Sequence, residues 1–137
     1  MTLYLDTSSL VKRYLDEPDS DVVAGLLDAA DVVATSVVAY AEARATFARR
    51  RRERLLTPAA CVAIVRQFDR DWPAFLVIEV TDTLARSAGA LADRLGLRGV
   101  DAVHLASFEY LLSRVEDERV HFSSADARLT RAARKLG

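Results

Sequence analysis

A single cysteine, Cys61, leaves the 137-residue chain without a disulfide partner and without the thiolates of a cysteine-built zinc site. Within Ala59-Ala60-Cys61-Val62-Ala63-Ile64 it reads as a small buried hydrophobe. No apolar run approaches the roughly 20 residues that span a bilayer. The opening Met-Thr-Leu-Tyr-Leu-Asp has no basic segment followed by an apolar stretch, so a cytoplasmic protein with no membrane partner is expected. Repeats, low-complexity stretches and Pro/Gly/Ser linkers are missing too, which predicts a single domain over residues 1–137. Nor is there an excess of positive charge. A net charge of −1 argues against holding nucleic acid through a global positive field. Lysine is confined to Lys12 and Lys135, but five arginines crowd Arg49-Arg50-Arg51-Arg52-Glu53-Arg54, a local basic patch amid scattered acids.

What is present is a hydrophobic pattern that changes period along the chain. Leu3-Tyr4-Leu5 stops at Asp6-Thr7-Ser8-Ser9 and reads as a strand feeding a helix, Ser8 to Leu15, ended by Glu17-Pro18. Val22, Val23, Leu26 and Leu27 have helical spacing, and 31–35 follows as a second strand. Ser36 is placed to cap a long alanine-rich helix from Val37 to about Glu53. Thr57-Pro58 starts another, which runs to Pro73. Residues 75–80 form the clearest strand. A helix capped by Thr81 or Asp82 and closed by Gly96 follows, then a helix from Val100 to Arg114 with Val103, Leu105, Ala106, Phe108 and Leu112 buried. A strand over 119–123 and a closing helix over 127–136 complete the chain. Strands separated by helices at this spacing require crossover connections, so a three-layer α/β fold around a short parallel sheet of four to five strands is predicted.

In such sheets ligands bind beyond the carboxyl ends of the strands. Asp6 follows the first strand and Asp126 lies just past the last, while Glu42 and Asp101 sit near helix starts, so all four acids can converge on one edge. Grouped carboxylates repel, and burial penalises each charge further. A hard divalent cation, Mg²⁺ or Mn²⁺, removes both costs and supplies the chemistry of phosphodiester hydrolysis. Thr7, Ser8 and Ser124 are supporting hydroxyls that can orient a carboxylate or bond a phosphate. Arg49, Arg50, Arg51 and Arg52 are candidate RNA contacts. Taken singly, Asp6 and Asp126 also read as helix caps and Asp101 as a complement to a helix dipole. His104 and His121 are read as packed or hydrogen-bonded structural residues rather than a metal-free acid–base pair. A dinucleotide site is excluded, since Asp6-Thr7-Ser8-Ser9-Leu10 lacks the glycines that such a turn needs.

Four ordered fragments, Leu3-Tyr4-Leu5-Asp6-Thr7-Ser8, Val38-Ala39-Tyr40-Ala41-Glu42, Gly99-Val100-Asp101-Ala102-Val103-His104-Leu105-Ala106-Ser107 and Ser123-Ser124-Ala125-Asp126-Ala127-Arg128-Leu129, resemble those of PIN-domain nucleases, most closely the VapC-type toxins of bacterial toxin–antitoxin pairs. The resemblance implies a PIN-like fold and a Mg²⁺-dependent endoribonuclease acting on RNA, neutralised by a cognate antitoxin and usually a homodimer. It matches Asp6 and Asp101 to the principal metal ligands, Glu42 to the third acid and Asp126 to the fourth. The competing expectation is a catalytically silent PIN-fold module that binds RNA or protein.

Overall fold

The computed structural model describes residues 1–115 and 119–136. Four strands, β1 (Thr2–Leu5), β2 (Val32–Ser36), β3 (Leu76–Ile78) and β4 (Val120–Ser123), form one parallel sheet in the order β3-β2-β1-β4. Helices α1 (Thr7–Leu10), α2 (Ser20–Ala29), α3 (Val38–Arg52), α4 (Pro58–Asp71), α5 (Asp82–Leu95), α6 (Gly99–Arg114) and α7 (Ala127–Arg134) cover its two faces, giving the expected three layers. Alternation along β1 sorts the core. Leu3 and Leu5 join Leu10, Phe47 and Phe68 beneath α1, α3 and α4, while Tyr4 joins Leu91, Leu105, Phe108 and Phe122 on the opposite face. From β1 the chain steps outward to β2 and β3, then returns to place β4 on the other side of β1. This reversal opens a crevice at the carboxyl ends of β1 and β4, where Asp6 and Ser124 emerge.

The first helix is shorter than its pattern suggests. α1 ends at Leu10 and gives way to a 3₁₀ turn over Val11–Arg13, because a four-residue segment with two serines has little helical drive of its own. Ser36 closes β2 instead of capping α3, although its hydroxyl still accepts the Val38 N–H at 3.3 Å. Among the described residues β3 pairs only with β2, over three residues, at the sheet edge. On α6, Ala102, His104, Leu105, Ala106, Ser107, Phe108 and Leu111 are buried, whereas Val103 and Leu112 are only partly so. That helix is covered by both the sheet and α5, so its buried surface wraps beyond a single stripe.

A polar latch ties the segment after α1 to the end of α4. Asp71 accepts from Tyr14 Oη at 2.6 Å, Arg13 Nε at 3.0 Å and Gln67 Nε2 at 2.8 Å. Partial burial pushes the Asp71 carboxyl up, but these three donors outweigh it and hold the group below its ordinary value. A depressed carboxyl stabilises the fold above its unfolded pKa of about 3.9 and loses that contribution as pH falls through the lower folded value. Asp71→Asn is therefore expected to cost about 1–2 kcal/mol at pH 7. Denaturant titrations from pH 7 to 3 should show the gap from the unmodified protein closing below about pH 4.

Candidate functional site

Asp6 is held by the turn it caps. Its Oδ1 accepts the Ser9 N–H at 3.0 Å, closing the start of α1, and the Ser8 hydroxyl at 2.7 Å, while Oδ2 accepts the Ser124 hydroxyl at 2.5 Å. The side chain is 5% exposed and, among the described residues, has no ion-pair partner. Within the described residues the Asp6 carboxylate is therefore held by neutral donors alone.

Glu42, in the second turn of α3, is half-buried on the same cleft. Its Oε1 accepts from Thr7 Oγ1 at 2.5 Å and faces Nε2 of His104 at 3.1 Å. Burial pushes the Glu42 carboxyl up, yet the hydrogen bonds from His104 and Thr7 prevail and hold it below its ordinary value. Asp101 lies in the first turn of α6, where its Oδ2 accepts from Arg98 Nε at 3.1 Å. Asp6, Glu42 and Asp101 line one open cleft of about 560 Å³, together with Thr7, Ser8 and His104. Each carboxylate is engaged by its own partners. Among the described residues, no three His, Cys, Asp or Glu side chains form a group able to hold a metal ion.

The remaining sequence-predicted residues divide. Asp126 is exposed and does not line the cleft; its Oδ1 accepts the N–H groups of Arg128 and Leu129 at 2.9 and 3.3 Å, capping α7. Ser124 reaches Asp6, and Ser8 both serves Asp6 and accepts the Ala125 N–H. Arg49 and Arg50 also line the cleft, but Arg51 faces a separate groove with Arg44, Val62 and Arg66, and Arg52 lines neither. His104 is 2% exposed and fully engaged, as expected. His121 is instead exposed, because β4 is an edge strand whose outer face is incompletely covered.

Among the cleft residues that escaped the sequence are Lys12 and Glu17. Lys12 adds a third cation beside Arg49 and Arg50, and Glu17 pairs with both Lys12 and Arg50, fixing that basic wall in place. The only signal for either was proximity to the Glu17-Pro18 turn.

The PIN domain family model matches residues 3–135. Ribonuclease VapC45 of Mycobacterium tuberculosis (strain CDC 1551 / Oshkosh) is 36% identical over 124 residues, covering 87% of this chain and 86% of the relative. The chain shares its fold with FitAcB from Neisseria gonorrhoeae, at a TM-score of 0.69 and 17% identity over 96% of this chain and 93% of that one. It likewise resembles Mycobacterium tuberculosis VapC20, described as a sarcin–ricin loop cleaving toxin, at a TM-score of 0.67 and 20% identity over 95% and 94%. No helix among the described residues is long and apolar enough to cross a membrane.

Proposed function

Since this chain belongs to the PIN-domain family, we propose that it is a divalent-metal-dependent endoribonuclease, the toxin of a toxin–antitoxin pair, with Asp6, Glu42 and Asp101 as its central acids. The carrying observation is Asp6: a buried carboxylate with no cationic partner among the described residues, at the sheet's switch point, on a cleft it shares with Glu42 and Asp101. By donor type the residues suit the group that the family implies, although no three of them form a ready-made metal site among the described residues. Every candidate ligand offers carboxylate oxygen, the class preferred by Mg²⁺ and Mn²⁺, and the one cysteine is buried on the far side of α3. Asp6, Glu42 and Asp101 would hold the ion. Asp126, which caps α7 outside the cleft, is counted as a fourth acid on the family resemblance alone.

Such an ion, when bound, lowers the pKa of a coordinated water and offsets charge on the phosphodiester and its leaving oxygen. The protein's own part is orientation and charge. Ser8, Ser124 and the Ser9 N–H lock the Asp6 carboxylate between three donors. Glu42, held below its usual range, stays ionised at neutral pH and contributes charge instead of a proton. Lys12 and Arg49 line the same cleft, where an RNA backbone entering it meets positive charge. A cognate antitoxin and a homodimeric state belong to the same reading. Both rest on family membership.

Sequencing of RNA ends after induced expression tests the proposal. Wild-type protein is expected to generate new 5′-phosphate and 3′-hydroxyl ends, and Asp101→Ala to generate none. Identical end profiles from both would leave the silent binding module as the better reading. Within the basic wall, Arg49→Gln is expected to weaken RNA binding and flatten the logarithmic salt dependence by about 0.7–1, one phosphate contact. Arg52→Gln, outside the cleft, should leave the slope unchanged in fluorescence anisotropy titrations at several salt concentrations.

A further inference from the structure

His104 is the most enclosed titratable side chain lining the cleft, and its surroundings dictate which ring nitrogen carries the proton. Nε2 lies 3.1 Å from Glu42 Oε1 and 3.0 Å from Thr7 Oγ1. Thr7 has a single hydroxyl proton, directed at Glu42, so towards His104 it can only accept. A carboxylate likewise only accepts. Nε2 therefore faces two acceptors, and a bare lone pair there would oppose two others in a site that is 2% exposed. On the other side of the ring, Nδ1 lies 2.9 Å from Tyr4 Oη. With the ring proton on Nε2, a neutral imidazole can only accept at Nδ1, so the Tyr4 hydroxyl is the donor there. Every proton along the chain Tyr4 to His104 to Glu42 consequently points toward the cleft.

Both hydrogen bonds to Glu42 fall on Oε1, leaving Oε2 without a protein partner among the described residues. Two donors on one oxygen fix the carboxylate plane and leave the second oxygen for a ligand in the cleft. We propose that His104, as the Nε2–H tautomer backed by the Tyr4 hydroxyl, is a positioning residue that orients Glu42 for a bound divalent cation. This rests on the metal-dependent reading above and adds to it a relay reaching from the core of the sheet to the third acid. Tyr4 is fully buried and does not line the cleft, and its hydroxyl meets the cleft residues through His104. Outer hydrogen bonds of this kind are typically worth about 10–100-fold in metal affinity or activity.

Two measurements on the intact chain test the relay. Long-range ¹H–¹⁵N correlation spectra of metal-free protein, with the two histidines assigned through His121→Gln, should show His104 protonated at Nε2 and unprotonated at Nδ1. An Nδ1–H tautomer overturns the proposal, whatever the catalytic activity. In the second, free Mn²⁺ is followed by electron paramagnetic resonance while protein is titrated in. His104→Leu should weaken Mn²⁺ binding about tenfold or more, His104→Gln should recover most of the loss by restoring a donor at the Nε2 position, and Tyr4→Phe should weaken it by a smaller factor. Circular dichroism confirms that each variant is folded, and the glutamine variant keeps the test decisive if the leucine variant is not. Wild-type affinity in folded His104→Leu protein overturns the positioning role alone. Wild-type protein that neither takes up Mn²⁺ nor cleaves RNA overturns the nuclease reading itself, and the role of His104 falls with it.

Discussion

Asp6→Asn is expected to lower RNA cleavage by roughly a thousandfold while leaving the fold intact, a loss near 4 kcal/mol of transition-state stabilisation and at the upper end for one electrostatic group. The substitution separates the two things that Asp6 does. Asparagine caps a helix as well as aspartate, so the Ser9 N–H at the start of α1 keeps its acceptor. The hydroxyls of Ser8 and Ser124 can rotate to meet an amide. What disappears is the charge, in a place where no cationic side chain among the described residues was paired with it. Removing that charge should relieve the fold if anything, and urea midpoints should stay within about 1 kcal/mol of the starting protein. Cleavage by the unmodified protein should vanish to the same degree in excess EDTA. A variant that loses stability but retains its turnover would reduce Asp6 to a cap.

The second large effect is structural. Phe68→Ala is expected to destabilise the protein by about 3–5 kcal/mol, a large share of the 5–15 kcal/mol typical of a domain. Phe68 is fully buried at the centre of an aromatic group, with ring centroids 5.4 Å from Tyr14, 5.8 Å from Phe47, 5.2 Å from Tyr40 and 5.5 Å from Trp72. Those rings fasten α4 to α3, the helix that carries both Glu42 and Arg49. Thermal unfolding should begin roughly 10–15 °C lower. A Phe68→Leu variant, keeping most of the volume, should recover about half of the loss. A fall of less than about 1 kcal/mol in the alanine variant would mean that α4 contributes little to the core.

Local signals carried most of the fold. Asp6-Thr7-Ser8-Ser9 after an apolar triplet, Thr57-Pro58, and Thr81 before a periodic segment closed by Gly96 each mark an element end through hydrogen-bonding chemistry confined to a few residues, and each element begins or ends where they indicate. Where the pattern misled, a neighbour distant in sequence decided the outcome. Val103 and Leu112 fit a helical stripe, but α6 is enclosed from two directions, so the buried set includes His104 and Ser107. His121 alternates correctly within β4, yet its strand borders solvent. The acids around the cleft were legible because strand ends and helix starts place them. Their hydrogen-bond partners were not. Thr7 meets Glu42 across 35 residues and His104 meets Glu42 across 62, and no spacing in the chain encodes those encounters.

The last strand lies directly beside the first, and Ser124 reaches Asp6 across 118 residues. A growing polypeptide therefore exposes Asp6 118 residues before it carries the hydroxyl that braces the carboxylate, and β1 before its neighbour β4 exists. For the proposed nuclease, born among the RNAs of its own synthesis, this order of assembly is a delay fuse: the weapon arms only once β4 has been made.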